Sequence, residues 1–168
     1  MAVDVVGFSA LVEHDDLGTA LRLRTLRAAI LTPLIRGHDG EVFSVAGDGS
    51  MSIFSTPGDA VASALNIQQV LDLPGSPVGR LLVRIGISYG SVIGIGSEIY
   101  GTPLNVAARL QALAEPGEVI VTGDVVERTR PQDGARFSFL GVRKLHKMTT
   151  EVSLFRAEAP PVTTVLAA

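Results

Sequence analysis

The strongest constraint on the fold is the order of strand-like and helix-like hydrophobic patterns along the first ninety residues. The pattern predicts a strand, a long helix, two strands joined by a tight Gly-Asp-Gly turn, a second helix and a further strand. This is the order of a ferredoxin-like βαββαβ unit, an α+β fold in which two helices cover one face of an antiparallel sheet. The predicted spans are 2–6, 16–36, 41–46, 50–55, 58–72 and 81–88.

The remaining residues add C-terminal α/β elements to this core. These elements are predicted at 91–95 (strand), 103–114 (helix), 117–121 (strand), 122–129 (short helix), 136–140 and 151–156 (strands). Pro33 is expected to kink the last turn of the first long helix. We therefore predict one domain over residues 1–158, followed by a disordered tail at 159–168 that starts beside a Pro-Pro pair.

Composition excludes several classes of function. The chain has no cysteine, which excludes thiolate metal sites and cysteine nucleophiles and is compatible with the reducing cytoplasm in which we expect the protein. A net charge of −3 with only two lysines argues against nucleic-acid binding. No apolar run is long enough to predict a membrane span. The mean hydropathy of +0.37 is high for a monomer and predicts that a partner covers some apolar surface.

Two aspartates lie where a carboxylate needs an explanation. Asp4 interrupts an apolar strand, and Asp48 is the centre of the Gly-Asp-Gly turn. Asp4 could simply cap the following loop, and Asp48 could be only a turn residue. In a βαββαβ sheet, however, the first strand lies beside the central hairpin, so the two carboxylates should meet. Such a pair suits Mg²⁺ or Mn²⁺, and two such ions could clamp an in-line phosphoryl displacement.

A third feature is the pair Asn105 and Arg109, four residues apart on one face of the predicted helix. The plain alternative is a helix-start asparagine and a surface arginine. Their neighbours are almost all apolar, however, and an amide and a guanidinium on one face can bind ribose and phosphate.

Three segments of the sequence resemble the class III nucleotidyl cyclase catalytic domain, the adenylate/guanylate cyclase family, and most of all its bacterial rhizobial-type branch. The segments are VDVVGFSAL, HDGEVFSVAGDGSMSIF and EIYGTPLNVAARLQALAEPGEVIVT, and the resemblance runs over about residues 3–157. It implies the same ferredoxin-like core and a head-to-tail homodimer with active sites at the interface.

The resemblance also implies a role for individual residues. Asp4 and Asp48 match the two aspartates that bind two Mg²⁺ or Mn²⁺ ions per site, with the Val5 carbonyl as an extra ligand. Asn105 matches the asparagine that orients the ribose. Arg109 matches the arginine that stabilises the α-phosphate in the transition state. The aspartates of one chain would work with the asparagine and arginine of the other.

The loop formed by Gly7, Phe8 and Ser9 matches the segment whose backbone amides face the triphosphate. Three other positions depart from the adenylate cyclase pattern. The two base-reading positions are Ser44, where the family usually has a lysine that reads adenine, and Glu98, where it usually has an aspartate that accepts from the exocyclic amine. The third is His146, where a phosphate-binding lysine is common. Lys147 or Lys144 could take over the role at the last position.

The function that the resemblance implies is conversion of ATP to 3′,5′-cyclic AMP and pyrophosphate by two-metal, in-line attack of the ribose 3′-hydroxyl, in signal transduction. GTP is an alternative substrate, because Glu98 can accept from guanine as well as from adenine. A different class of function is a degenerate cyclase domain that serves as a nucleotide-binding or regulatory dimerisation module. A generic ferredoxin-like binding module would leave the co-occurring motifs unexplained.

Overall fold

The computed structural model of the protein describes residues 1–96, 98–130, 134–148 and 151–160. Its strands are β1 (Ala2–Val5), β2 (Gly40–Ala46), β3 (Gly49–Phe54), β4 (Val83–Ile87), β5 (Ile93–Ile95), β6 (Glu98–Tyr100), β7 (Val119–Thr122), β8 (Arg136–Lys144) and β9 (Glu151–Glu158). Its helices are α1 (Phe8–His14), α2 (Asp16–Thr25), α3 (Thr32–Gly37), α4 (Pro57–Asp72), α5 (Thr102–Leu113) and α6 (Gly123–Arg128).

The central sheet confirms the predicted core. Its strand order is β2-β3-β1-β4-β7-β9-β8, and its first four strands pair antiparallel in the order expected for a ferredoxin-like unit. The added strands extend the sheet beyond β4 through one parallel pair, β4 with β7, and then through antiparallel pairs. The first strand lies beside the central hairpin, as the argument for the two aspartates requires.

Successive side chains of β1 point to opposite faces of the sheet, so its valines and its aspartate lie on different faces. Val3 and Val5 are buried in the main core together with side chains of α2, α3 and α4. Asp4 points to the other face of the sheet. The helix α5 packs on that face, where Val106 and Leu110 belong to a second, smaller core. The aspartate in the apolar strand therefore avoids the main core.

The long first helix is distorted earlier than predicted. A π-helical segment, Leu26–Leu31, joins α2 to α3, and the N–H of Thr32 donates to the carbonyl of Arg27, five residues back. Pro33 follows directly and has no N–H to donate to the preceding turn, so the widened turn lies before the proline rather than at the end of the helix.

Two short elements were not predicted. The helix α1 begins just after Gly7, whose φ of 65° turns the chain away from β1. The strand β6 pairs with β5 in a separate two-stranded hairpin, so β5 does not join the central sheet. The predicted tail lies mostly at 161–168, outside the described residues. Among the described helices, none combines the length and hydrophobicity that crossing a membrane requires.

Candidate functional site

Asp4 is held on the α5 face of the sheet by two neighbours. Its cross-strand partner in the register of β1 and β4 is Arg84, whose Nη2 lies 2.6 Å from Oδ2 of Asp4. Gln111, on α5, donates from Nε2 to the same Oδ2 at 3.2 Å. The carboxylate is only partly exposed, so its charge is balanced by Arg84 and its orientation is fixed from two sides.

Asp48 lies in the turn between β2 and β3, close to Asp4. Burial raises the pKa of Asp48 above its ordinary value of 3.8, and the charge and hydrogen bond of Asp4 raise it further. Backbone N–H groups of Asp48 and Val5 partly offset this rise. Arg27, from the π-helical segment, donates to the carbonyl of Gly47 and ties the turn to the helix. The geometry thus brings together the two predicted metal ligands, and it also places the Val5 backbone beside them.

The donor set of this pair fits a small divalent cation. The charge of Asp4 raises the pKa of Asp48, and a bound cation shared by the two carboxylates would relieve this repulsion. The described part of the chain contains no cluster of three or more His, Cys, Asp or Glu side chains. Mg²⁺ commonly binds proteins through one or two carboxylates together with substrate phosphates, so a pair of aspartates is a sufficient protein contribution.

A cleft of about 180 Å³ opens beside Asp4 on the same face of the sheet. Ser44 lines it from β2, just after a bulge that shifts the register of β2 against β3. Ala108 and Gln111 line it from α5. The predicted base-reading position and one predicted metal ligand therefore border one cleft within the same chain.

Asn105 and Arg109 lie together on α5, with a loop from β8 beside them. The guanidinium of Arg109 donates through Nε to the carbonyl of His146 at 2.5 Å and through Nη1 to that of Asn105 at 2.9 Å. Its Nη2 has no hydrogen-bond partner in the described residues. The arginine is anchored along one edge, and the loop that carries His146 and Lys147 is attached to α5.

The other predicted substrate positions lie on α1 and on the β5–β6 hairpin. Gly7, Phe8 and Ser9 form the turn into α1, whose first N–H groups have no partner within the helix. Glu98 lies on the β5–β6 hairpin and accepts at Oε2 from the hydroxyl of Tyr100 at 2.6 Å. This hydrogen bond raises the pKa of Tyr100.

Within one chain, the acidic pair and the α5 pair are separate. Over the described ranges, no hydrogen bond or ion pair joins Asp4 or Asp48 to Asn105 or Arg109. Gln111 of α5 contacts Asp4, whereas Arg109 contacts the loop that carries His146.

Comparison with known proteins gives this arrangement a family. The family model described as the adenylate and guanylate cyclase catalytic domain matches residues 1–150. The chain belongs to this family.

Relatives of this cyclase domain agree with the match. It is 31% identical over 172 residues to a putative adenylate cyclase 3 of Rhizobium meliloti, covering 96% of this chain and 29% of the relative. It is also 31% identical to a pH-sensitive adenylate cyclase of Mycobacterium tuberculosis, covering 91% of this chain and 38% of that protein. The chain thus spans about a third of the length of these two relatives.

A solved structure extends the agreement to the fold. The crystal structure of an adenylate/guanylate cyclase/hydrolase from Silicibacter pomeroyi has a TM-score of 0.83 and 31% identity, covering 94% of this chain and 93% of that one. The predicted resemblance to class III cyclases and the predicted fold class are confirmed.

Three residues that support the site were not predicted from the sequence. Arg84 could have been found by the signal that revealed Asp4, a lone charge inside an apolar strand. Arg27 and Gln111 carry no such signal, because each is one polar residue on a mixed helix. Their contacts depend on how the helices pack.

Proposed function

We propose that this domain is a nucleotidyl cyclase that converts ATP to 3′,5′-cyclic AMP and pyrophosphate as a homodimer. The observation that carries the proposal is the meeting of Asp4 and Asp48 on the α5 face, which forms an acidic pair fitted for divalent cations. Membership of the cyclase family supports a nucleoside triphosphate as the substrate class.

The reaction joins the ribose 3′-oxygen to the α-phosphorus and breaks the bond from the α-phosphorus to the bridging oxygen. Pyrophosphate leaves, and the proton of the 3′-hydroxyl is released. Two Mg²⁺ or Mn²⁺ ions held by Asp4, Asp48 and the Val5 carbonyl would lower the pKa of that hydroxyl and neutralise the polyphosphate.

The residues of α5 would act on the other end of the substrate. Asn105 would orient the ribose by hydrogen bonds. Arg109 would donate to the α-phosphoryl oxygens as negative charge develops there, and anchoring of its Nε and Nη1 leaves Nη2 for this purpose. The backbone N–H groups of Gly7, Phe8 and Ser9 would hold the triphosphate.

The absence of a hydrogen bond or ion pair between the acidic pair and the α5 pair, over the described residues, supports a site built from two chains. A second copy would bring its Asn105 and Arg109 to the acidic pair of the first, and the symmetry would build two complete sites. Apolar side chains that remain exposed in one chain support such an interface. They include Val45, Ile93, Ile95, Tyr100, Phe139 and Val142.

A second candidate is a domain that binds nucleotide or a partner without turning nucleotide over. The observation in its favour is that the Glu98 carboxylate already accepts from Tyr100, so the base-reading group is engaged. Ser44 and His146 also replace the lysines of the adenylate cyclase pattern.

Product analysis separates the candidates. The domain is incubated with Mn²⁺ and either ATP or GTP, and the products are resolved by chromatography and mass spectrometry. Cyclic AMP from ATP supports the proposal, and cyclic GMP from GTP supports a guanylate cyclase. Absence of both products, with nucleotide binding retained, supports the second candidate.

A further inference from the structure

Gln111 and Arg109 lie on different flanks of α5. The two residues are two positions apart, which is a rotation of about 200° around a helix axis. Val106 and Leu110 fill the side of α5 that packs on the sheet. Arg109 reaches the His146 loop on one flank, whereas Gln111 reaches Asp4 on the other.

The two carboxylate oxygens of Asp4 have different surroundings. Oδ2 accepts from both Arg84, at 2.6 Å, and Gln111, at 3.2 Å. Oδ1 lies on the side of the hairpin, where a Cβ added at Gly49 would come within 3.9 Å of it. One oxygen is therefore used by the protein, and the other faces the turn that carries Asp48.

Close packing fixes the position from which Gln111 donates. A Cβ added at Gly86 of β4 would lie 2.2 Å from the carbonyl oxygen of Ala107 and 2.4 Å from the backbone nitrogen of Gln111. The backbone of α5 therefore sits directly on the strand that carries Arg84. Leu110, next to Gln111, is fully buried. The backbone of Gln111 therefore cannot shift away from Asp4 without moving the helix.

We propose that Gln111 is a positioning residue for Asp4 of its own chain, although it lies on the helix that serves the partner's site. The inference rests on the proposed function. The helix α5 then contributes to both active sites of the dimer. Its Gln111 orients Asp4 in one site, and its Asn105 and Arg109 complete the other. One helix thereby connects the two sites of the dimer.

Metal binding without nucleotide tests the contact directly. Gln111→Met removes the donor but keeps the length of the side chain and suits a helix. Loss of a hydrogen bond to a metal-binding carboxylate commonly weakens metal affinity by about tenfold or more. We expect the dissociation constant for Mn²⁺, measured by electron paramagnetic resonance of the free ion, to rise by about tenfold.

The matched control is Gln69→Met, at an exposed glutamine of α4 that lies away from the cleft. This variant should bind Mn²⁺ like the wild type. Thermal unfolding and circular dichroism establish that both variants are folded. Folded Gln111→Met with wild-type Mn²⁺ affinity would overturn the inference.

Mixed dimers test whether Gln111 serves its own chain or the partner. Gln111→Met chains are mixed with Arg109→Ala chains. If Gln111 acts on Asp4 of its own chain, both mutations affect the same site of a mixed dimer, and the other site has no mutation. We then expect a component of activity with the Mn²⁺ dependence of the wild type, in addition to the weakened component from the Gln111→Met homodimers. Mixing with Asp48→Asn chains should give only the weakened Mn²⁺ dependence, since every acidic pair is then altered. The reverse pattern would show that Gln111 acts through Arg109 and would overturn the inference.

These results are distinguishable from failure of the proposed function. If the wild type binds Mn²⁺ but forms no cyclic nucleotide, the proposed function fails while the Mn²⁺ titration of Gln111→Met still tests the contact. If the wild type is active and Gln111→Met matches it in Mn²⁺ binding and dependence, only the positioning role fails.

Discussion

Arg84 and Asp4 face each other across the pair formed by β4 and β1, with Nη2 of the arginine 2.6 Å from Oδ2 of the aspartate. The pair lies on the α5 face of the sheet, which is free of the helices of the main core. It balances the charge of one of the two aspartates that we propose as metal ligands.

Replacing this arginine should impair the site more than the fold. Arg84→Met leaves Asp4 with Gln111 as its remaining side-chain donor, so we expect Mn²⁺-supported activity to fall by about tenfold or more. The stability change should be about 1 kcal/mol or less, because both side chains are partly exposed and Nε of Arg84 is already buried without a partner in the described residues. Initial rates and thermal unfolding check the two effects.

Arg128→Met is the control for this experiment. Arg128 also forms ion pairs, with Asp124 and Glu127, but on α6 away from the acidic pair. Its activity should remain close to that of the wild type. An equal loss of activity in both variants would contradict a specific role of Arg84 at Asp4.

The raised pKa of Asp48 predicts a pH dependence with opposite signs for metal binding and stability. A protonated carboxyl is a poor metal ligand, so Mn²⁺ binding should weaken at acidic pH values where an ordinary aspartate is still charged. For the metal-free fold, the raised pKa favours the protonated form. That contribution to stability is fully present below 3.8 and is lost as pH rises through the pKa of folded Asp48.

Asp48→Asn isolates this contribution, because the amide does not titrate. The difference in unfolding temperature between the wild type and the variant, measured with chelator across an acidic to neutral series, should change with pH over that interval. Parallel curves for the two proteins would contradict the raised pKa.

The close packing of α5 on β4 predicts that Gly86→Ala destabilises the fold. The added Cβ would meet backbone atoms of Ala107 and Gln111 at 2.2 and 2.4 Å, which flexible side chains cannot relieve. We expect a loss of about 1–3 kcal/mol in the free energy of unfolding, measured by denaturant titration, and a larger loss of activity because α5 shifts. Gly37→Ala, at the end of α3 where a Cβ would meet nothing within 4 Å, should change neither. Wild-type stability in Gly86→Ala would contradict the close packing.

The acidic pair could be predicted from the sequence, whereas the side chains that support it could not. A lone carboxylate in an apolar strand reveals Asp4, and the Gly-Asp-Gly turn reveals Asp48, because both are local features of the sequence. The π-helical segment depends on how the long helix fits the main core, so local pattern places the distortion at Pro33 instead. The role of Gln111 becomes visible only once α5 is packed on Gly86, because its hydrogen bond to Asp4 joins residues 107 positions apart in the chain.

The isolated Asp48→Asn variant tests the acidic pair within one chain. An amide at this position cannot supply the charge that holds two divalent cations, so turnover should be lost while the protein stays folded and dimeric. Product formation and size-exclusion chromatography check this expectation. Activity within a few-fold of the wild type would contradict the assignment of Asp48 as a metal ligand.

The measurement that tests the shared site most directly is complementation between two inactive variants. Asp48→Asn chains and Arg109→Ala chains are mixed after subunit exchange has been verified with differently tagged chains. Arg109→Ala alone should lose about a hundredfold or more of its activity, as expected when a partner of transition-state charge is removed. In a mixed dimer, one site collects both mutations and the other has none. Random exchange makes about half of the dimers mixed, so about a quarter of wild-type activity should return. A verified mixture that stays as inactive as its parents would contradict the site shared between two chains.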